Sequence, residues 1–399
     1  MPAAPWRCTN CGAVYPEEGL PHRCPRCGGL FDRTTPPTWA PPKPGAGMWR
    51  YAASLPTPDG AEPVTLGEGG TPLLAGPEDG VWLKAEYLNP TGSHKDRAAS
   101  LVFTWLRARG VTAIVEDSSG NAGAAWAAYA ARSGLTAHIF VPAGASGPKR
   151  AQIEAFGARL HPVQGPRRAA RDAAEDAARA GMGIYASHAW LPMPLDAYAT
   201  IAYEIVADLG RAPGSVIVPV GHGSLLVGLM RGFRALHAAG RIERVPQVVG
   251  VQTLACAPLW AMSHGGYEAW LLVSDEAETV AEGVRVKDPV WGQAVAHEVH
   301  ASQGLLAAVD DEATLRARDF LARHGFYIEP TAALGWAAYE AVRAHIAHPA
   351  VVLLTGSGHK TAAAPHAAPL PPAEPPPAPR PTPTWWQRLR QGWRRIFRT

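Results

Sequence analysis

Residues 112–134 read TAIVEDSSGNAGAAWAAYAARSG, and this stretch contains the unit from which most of the chain is built. The β-branched run at 112–117 predicts a strand, the glycine- and serine-bearing segment 118–120 predicts a turn, and the alanine-rich segment 121–134 predicts a helix. Strand, turn and helix in this order are typical of an α/β fold with a mostly parallel sheet. Such sheets bind ligands at the carboxyl ends of their strands, so we expect the functional site at these turns.

The same pattern recurs along the chain. Further β-branched runs predict strands at 137–142, 215–220, 247–252 and 350–356. Further segments rich in good helix formers predict helices at 167–180 and 331–344. No internal repeat at a fixed period is present, so the pattern indicates an α/β fold and not a solenoid.

Length and composition indicate a globular chain of several parts. The chain has 399 residues, 47% of them hydrophobic and 18% charged, with a formal net charge of +3. This length is typical of two or three domains, and the apolar fraction suffices for a sizeable core. A net charge so near zero argues against a dedicated nucleic-acid-binding protein. Residues 384–399 carry five arginines and no acidic residue, so a mildly acidic body is joined to a basic tail.

The composition divides the chain into five predicted parts. These are a cysteine-bearing head (1–33), a Pro-rich linker (34–48), a catalytic domain (49–363), a second, disordered Pro-rich linker (364–383) and an amphipathic basic helix (384–399). No signal segment opens the chain and no window is apolar enough to span a membrane, so we expect a cytoplasmic protein.

The basic segment 384–399 has two open interpretations. On a helix, its tryptophans and aliphatic residues fall on one face and its arginines on the other. Such a helix is suited to peripheral binding at the inner face of an anionic membrane. It is equally suited to docking on the acidic body or on a protein partner.

The head contains two Cys-x-x-Cys pairs. Cys8 and Cys11 form the first pair, and Cys24 and Cys27 form the second pair twelve residues later. Four thiolates at this spacing predict a closed, structural Zn²⁺ site of the zinc-ribbon type. Two disulfides or a degenerate ribbon without metal are the alternatives, and a reducing compartment favours zinc.

Residues 89–97, NPTGSHKDR, precede an apolar helix-forming segment. Pro90 and Gly92 predict a tight turn, and Ser93 is suited to cap the helix that follows. Lys95 then lies in the first turn, near the positive end of the helix dipole, which lowers the pKa of an amine. A lysine with a lowered pKa is suited to form a Schiff base. The alternative is a surface lysine at a helix start.

Three further turns follow predicted strands. Residues 118–123 (SSGNAG) and 221–226 (GHGSLL) offer backbone amides and hydroxyls that suit a carboxylate or a phosphate. Residues 355–358 (TGSG) place hydroxyl groups at the end of another strand. Together with Lys95, these turns predict a site for a phosphorylated carbonyl cofactor.

The ordered motifs resemble a known family. NPTGSHKDR, SSGNAG, VPVGHGSLL and LLTGSGHK are similar, in this order, to motifs of the pyridoxal-phosphate enzymes of fold type II, the tryptophan-synthase-β-like superfamily. LGEGGTPLL (66–74), TIAYEI (200–205), GVQ (250–252) and the cysteine-bearing head narrow the resemblance to the threonine synthase family. The resemblance covers residues 1 to about 360.

This resemblance implies a fold and an activity. The fold is a three-layer α/β/α arrangement of two subdomains, with the smaller one inserted at roughly 96–200. The cofactor is pyridoxal 5′-phosphate, the substrate is an amino acid, and the protein is a homodimer. The reaction converts O-phospho-L-homoserine and water to L-threonine and phosphate.

The resemblance also implies roles by position. Lys95 holds the cofactor as a Schiff base and afterwards moves the substrate proton. Other implied cofactor-binding residues are Asn121 at the 3′-oxygen, Gly221, His222, Gly223, Ser224 and Leu225 at the 5′-phosphate, and Thr355 at the pyridine nitrogen, with Ser357 as its substitute. The implied substrate-binding residues are Ser93, His94, Ser118, Ser119 and Gly120. A neutral hydroxyl at the pyridine nitrogen fits elimination and replacement better than transamination.

The chain departs from the family pattern where the substrate phosphate is held. Ala122 and Gly123 stand in place of hydroxyl-bearing residues, and His94 replaces an aromatic residue. This leaves His94, Arg97 and Lys149 as candidates for a phosphate contact. A threonine or serine ammonia-lyase, or a β-replacement enzyme of the same fold, is therefore an open alternative. A non-catalytic ligand-binding relative tethered to a membrane or partner is the alternative from a different class.

Overall fold

The computed structural model describes residues 4–144, 147–165, 167–274 and 277–361, which form twelve strands and ten α-helices. The strands are β1 (Trp6–Cys8), β2 (Phe31–Arg33), β3 (Leu73–Ala75), β4 (Val81–Lys84), β5 (Ala113–Glu116), β6 (Thr136–Pro142), β7 (Arg159–Val163), β8 (Ile184–Tyr185), β9 (Ser215–Pro219), β10 (Gln247–Thr253), β11 (Leu305–Val309) and β12 (Ala350–Leu353). The α-helices are α1 (Lys95–Ala108), α2 (Asn121–Ser133), α3 (Pro148–Ala155), α4 (Arg167–Arg179), α5 (Met193–Leu209), α6 (Ser224–Ala238), α7 (Pro258–Leu271), α8 (Gly292–Ala301), α9 (Asp311–Arg323) and α10 (Pro330–Val342).

Two largely parallel sheets organise these elements. The larger sheet has the strand order β11-β10-β9-β12-β4-β3, in which only β3 is antiparallel to its neighbour. The smaller sheet has the order β7-β6-β5-β8 and is parallel throughout. Every strand and helix that the sequence predicts within the described residues is present, and the expected mixed α/β fold is confirmed.

The larger sheet is covered by helices on both faces. Val216 and Val218 of β9 pack into the apolar cluster that contains α5 and α6. Ile217, between them, packs into a second cluster with Trp336 of α10. Side chains of a strand alternate between its faces, so both faces of β9 are buried. This explains why the predicted strands read as continuous β-branched runs without polar alternation.

The cysteine-bearing head packs against the body formed by the later residues and shares its core. Trp6 is buried, lies edge-on to Trp105 of α1 with ring centroids 5.2 Å apart, and donates its Nε1–H to Asp196 of α5 at 3.1 Å. Arg33 of β2 also pairs with Asp196. The head therefore acquires a hydrophobic core by docking, whereas the sequence indicated a small segment without one.

The remaining domain boundaries stay predictions. The smaller sheet is built from strands between residues 113 and 185, which lie inside the segment 96–200 given for the inserted subdomain. The second Pro-rich linker (364–383) and the basic helix (384–399) lie outside the described residues. Among the helices that the structure describes, none combines the length and apolar character needed to cross a bilayer.

Candidate functional site

A cavity of about 310 Å³ lies where loops of the two sheets meet. Its walls come from the residues that follow β5, β9 and β12 and from the first turn of α1. Of the residues singled out from the sequence, it is lined by His94, Lys95, Ser118, Ser119, Gly120, Asn121, Gly221, His222, Gly223, Ser224, Leu225 and Thr355. Ser93 and Ser357 are not among its lining residues.

Lys95 opens α1 and faces this cavity. Burial lowers the pKa of Lys95 to about 8, although the charge of Glu116 opposes the shift and that of Arg167 adds to it. The direction agrees with the sequence analysis, but its main cause is burial and not the helix dipole. Tyr198 of α5 lies beside the amine, with Nζ 5.8 Å from its ring centroid.

Ser93 does not cap α1. His94 occupies the N-cap position and makes no side-chain capping bond, while the buried Ser93 Oγ has no hydrogen-bond partner. The prediction that Ser93 caps α1 is wrong. At the helix start Ser93 contributes its backbone carbonyl oxygen and not its hydroxyl, since the Asp96 N–H donates to that carbonyl oxygen at 3.3 Å.

The turn between β9 and α6 forms an anion cradle. The N–H groups of a helix's first turn have no acceptor within the helix, and Gly223 at the N-cap supplies no side-chain cap. Gly223 has φ 96°, and a Cβ built on it would lie 2.6 Å from Val295 Cγ2. Only glycine fits there, so the amides of this turn remain open to a phosphate in the cavity.

Three buried polar atoms of cavity-lining residues lack both a hydrogen-bond and an ion-pair partner among the described residues. These are Asn121 Oδ1, His222 Nδ1 and Thr355 Oγ1. Asn121 is held in place because its Nδ2 donates to Glu329 Oε1 at 2.6 Å. Ser357, in contrast, uses its hydroxyl as a cap that accepts from the His359 N–H at 3.3 Å. The Thr355 hydroxyl is therefore available to contact the ring nitrogen of a ligand in the cavity, whereas the Ser357 hydroxyl is engaged as a cap.

His94 and the turn after β5 form the wall next to Lys95. The His94 ring packs against Tyr198 with centroids 5.5 Å apart, and its Nδ1 lies 3.2 Å from the Thr355 carbonyl oxygen. Burial, assisted by the charge of Lys95, lowers the pKa of His94 well below its usual value, so the imidazole is neutral. On the β5 side, Ser118 Oγ accepts from the Gly120 N–H at 3.2 Å.

The three residues considered for a phosphate contact differ in their availability. Arg97 is buried and bound to Glu86 and Glu204, each at 2.7 Å, so it is not available at the cavity. Lys149 lines the cavity but pairs with Glu329 at 2.8 Å. His94 is neutral, as described above.

Arg167, which the sequence analysis did not single out, also lines the cavity. It begins α4, its side chain is exposed, and among the described residues it makes no ion pair or hydrogen bond. The sequence offered no signal for it, because an arginine at the start of a charged helix is typical of a solvated face.

Two further residues were missed by the sequence analysis. His188 lines the cavity, and its Nδ1 contacts the carboxyl group of the buried Glu116 at the end of β5. A signal existed for Glu116, because an acidic residue at the end of an apolar strand is rarely buried without a partner. No signal existed for His188, which lies 72 positions along the chain.

The four cysteine sulfurs of the head lie together. Cys8 Sγ is 3.4 Å from Cys27 Sγ, Cys11 Sγ is 3.7 Å from Cys24 Sγ, and all four lie within 4.8 Å of one another. None of the four forms a disulfide. Thiolates at ~2.3 Å from a tetrahedral zinc ion are ~3.8 Å apart, so the spacing suits zinc.

Comparison with known proteins agrees with this geometry. The family described as pyridoxal-phosphate dependent enzyme matches residues 64–358. The threonine synthase of Mycobacterium leprae (strain TN) is 36% identical over 305 residues, which cover 73% of this chain and 81% of the relative. The threonine synthase of Methanocaldococcus jannaschii is 32% identical over 347 residues, covering 82% and 84% respectively.

Solved structures show the same fold. A threonine deaminase from T.th. superposes with a TM-score of 0.60 at 27% identity and covers 71% of this chain and 89% of its own. A fungal L-serine ammonia-lyase from Rhizomucor miehei superposes with a TM-score of 0.62 at 22% identity and covers 75% and 96% respectively.

Proposed function

The chain belongs to the pyridoxal-phosphate dependent enzymes and is a lyase of that family, and from this premise we propose that it is a threonine synthase. The substrate proposed is O-phospho-L-homoserine, which reacts with water to give L-threonine and phosphate. The observation that carries the proposal is that Lys95 and the amide cradle at 221–225 line the same cavity. The threonine synthases described above, similar over most of the chain, support it.

The residues of the cavity fit the cofactor. The cradle at 221–225 would hold its 5′-phosphate, and the second Nδ2–H of Asn121 would donate to its 3′-oxygen. The Thr355 hydroxyl, which lacks a protein partner, would donate to its pyridine nitrogen. When bound, pyridoxal phosphate withdraws electrons from the α-carbon of an amino acid and so acidifies the α-proton.

Lys95 would supply the base. Its lowered pKa, about 8, leaves a useful fraction of the amine neutral at physiological pH, when it can accept a proton. The turn formed by Ser118, Ser119 and Gly120 lies at the amino end of α2 and would bind the substrate carboxylate. A substrate held in this way would have its α-carbon between Lys95 and the cradle.

Arg167 would bind the substrate phosphate. Ala122 brings a methyl group to the wall where the family pattern has hydroxyls, and Arg97 is occupied by carboxylates. Arg167 and Arg285 both line the cavity, and neither has a carboxylate partner among the described residues. Arg285 donates to the Ala277 carbonyl oxygen at 3.3 Å, whereas Arg167 makes no hydrogen bond within that part of the chain. A guanidinium can bind a phosphate through two parallel hydrogen bonds.

The test is an assay of phosphate release from O-phospho-L-homoserine, with L-threonine identified by chromatography. The wild type is expected to release both products in equal amounts, and Lys95→Ala neither. Arg167→Gln is expected to raise KM by roughly tenfold or more, because a charge-assisted contact contributes about 1.5–3 kcal/mol. Arg168→Gln, at the next position of α4, serves as the matched control and should leave KM unchanged. Formation of a 2-oxoacid without phosphate release would contradict the proposal.

A second candidate is a serine or threonine ammonia-lyase, or a β-replacement enzyme. The observation that favours it is Ala122, because a substrate without phosphate needs no hydroxyls at that wall. L-Serine, L-threonine and O-acetyl-L-serine belong in the same assay, with ammonia and 2-oxoacid measured. A non-catalytic binding protein is the least supported alternative, and turnover of any of these substrates removes it.

We also propose that the head holds one structural Zn²⁺ through Cys8, Cys11, Cys24 and Cys27, and that the protein is a homodimer. A cytoplasmic location is likewise proposed. Binding of residues 384–399 to a membrane or a protein partner stays a prediction about a segment outside the described residues.

A further inference from the structure

His188, which lines the same cavity as Lys95, forms a carboxyl–imidazole pair with Glu116 behind it. Glu116 is fully buried at the end of β5 and contacts Nδ1 of His188, whose backbone N–H also donates to Glu116 Oε2 at 3.3 Å. The contact with Glu116 thus engages one imidazole nitrogen, Nδ1. Among the described residues, no group hydrogen-bonds to its other nitrogen, Nε2, although the residue lines the cavity.

The surroundings fix the ring's orientation and keep it neutral. Trp126 and His222 lie edge-on to the His188 ring, with centroids 6.3 Å and 5.9 Å away. Burial lowers the pKa of His188 to about 3, against the opposing charge of Asp117, and burial raises the pKa of Glu116 to about 8. At neutral pH the Glu116 hydroxyl therefore donates to Nδ1, and the ring's own hydrogen lies on Nε2.

We propose that His188, positioned by Glu116, is a second proton-transferring residue of this site, which protonates Cγ of the substrate while Lys95 removes protons from Cα and Cβ. The inference rests on the proposed function, which requires such a group. Conversion of O-phospho-L-homoserine to L-threonine turns a CH₂–O–phosphate group into a methyl group, so Cγ must gain a proton.

The proton transfers balance. The C–O bond at Cγ breaks, and its electron pair leaves with the phosphate oxygen, which is protonated by solvent. The Nε2 proton of His188 moves to Cγ, and the Glu116 hydroxyl proton moves to Nδ1, leaving a neutral imidazole and a carboxylate. Lys95 accepts the proton of Cα and passes it to solvent before it accepts the proton that Cβ loses. Cα regains a proton after hydroxide has added to Cβ, and the water that supplies the hydroxide releases its other proton. Three protons are thus released, from Cα, Cβ and water, and three are taken up, by the phosphate oxygen, Cγ and Cα.

The neighbouring charges favour this direction of transfer. When Lys95 accepts a proton it becomes an ammonium, and when Glu116 loses its proton it becomes a carboxylate. The two groups lie close enough for each to shift the pKa of the other. The new positive and negative charges therefore form together and stabilise each other.

The experiment follows the reaction in D₂O by NMR. The wild type is expected to place solvent deuterium in the methyl group of L-threonine. His188→Gln is expected to lower the rate of phosphate release and of deuterium entry at Cγ by roughly 10²-fold, the usual contribution of a proton-transferring side chain. Exchange of the α-proton, which depends on Lys95, should continue at close to the wild-type rate. Added imidazole should restore part of the turnover of His188→Gly.

The matched control is His138→Gln. Like His188, His138 is a buried histidine. It lies in β6, its Nδ1 is 2.9 Å from His161 Nε2, and it does not line the cavity. Its replacement should leave every rate unchanged. Full turnover in His188→Gln, or equal losses of α-exchange and turnover, overturns the role of His188 alone. A wild type that exchanges the α-proton yet releases no phosphate overturns the proposed function itself, and the relay with it.

Discussion

At the scale of single residues, burial decides the chemistry of the cavity. Lys95 has its pKa lowered chiefly by burial, and the same cause keeps His94 and His188 neutral. A neutral amine is a nucleophile and base, and a neutral imidazole both donates and accepts. The site is therefore prepared for proton transfer by neutral groups.

Cofactor uptake by the apoprotein should depend on the protonation of Lys95. Its pKa is lowered from 10.5 to about 8, so the neutral amine fraction, and with it the uptake rate, rises with pH and levels off above about 8. Below that value the rate should fall about tenfold per pH unit, because the ammonium form is not a nucleophile. Stopped-flow absorbance after mixing with pyridoxal phosphate measures this rate. A plateau that begins near 10 would show that burial does not act on Lys95 as described.

At the scale of elements, α5 joins the parts of the molecule. Asp196 in its first turn binds the head, Tyr198 lies beside Lys95, and Glu204 pairs with Arg97 of α1 and Lys84 of β4. Burial raises the pKa of Glu204, but the charges of its two cationic partners outweigh burial and lower it to about 2. The helix is thus fixed at both ends by buried charges.

Glu204→Gln should destabilise the protein by about 3 kcal/mol, because it leaves buried cations without their carboxylate. Urea unfolding monitored by circular dichroism measures this. The control is Glu312→Gln, which removes an exposed helical pair with Arg316 and should change stability by less than about 0.5 kcal/mol. The contribution of Glu204 should be fully present above about pH 4.5, its usual pKa, and fade as the pH falls toward 2. Equal losses of unfolding free energy in Glu204→Gln and Glu312→Gln would contradict the stabilising role given to the buried charges of α5.

At the scale of the whole molecule, the head is a part of the body's core. Trp6 and Phe31 belong to the same apolar cluster as residues of α1, α5 and α6. Asp32 adds a two-pronged contact to Arg231 of α6, at 2.7 and 2.8 Å. A change in the cysteine cluster should therefore be transmitted to the catalytic body.

Removal of the proposed zinc should lower the unfolding temperature of the entire described body in one transition. Metal analysis of the purified protein is expected to find one zinc per chain, and a strong chelator or Cys24→Ser should remove it. The chelator should have no further effect on Cys24→Ser, which is the control for non-specific action. A separate low-temperature transition would indicate an independent head, and absence of bound metal would contradict the zinc assignment.

The secondary structure was readable from the sequence because each strand, turn and helix is encoded locally. The predicted strand at 215–220 is observed as Ser215–Pro219, and the predicted helix at 121–134 as Asn121–Ser133. The glycine-rich turns and Lys95 could be found in the same way, since they adjoin these elements in the chain.

The partners of these groups were decided by the tertiary structure. Glu116 and His188 are 72 positions apart, and Asn121 and Glu329 are 208 apart, so no local pattern reveals either contact. The lining of the cavity by Thr355 but not Ser357, the burial of Arg97 and the exposure of Arg167 at the cavity also depend on which elements pack together. The sequence by itself determined the elements and the position of Lys95 at a helix start, because these depend on neighbouring residues. The packing of distant elements alone decided which groups surround that lysine and which of them remain free to act.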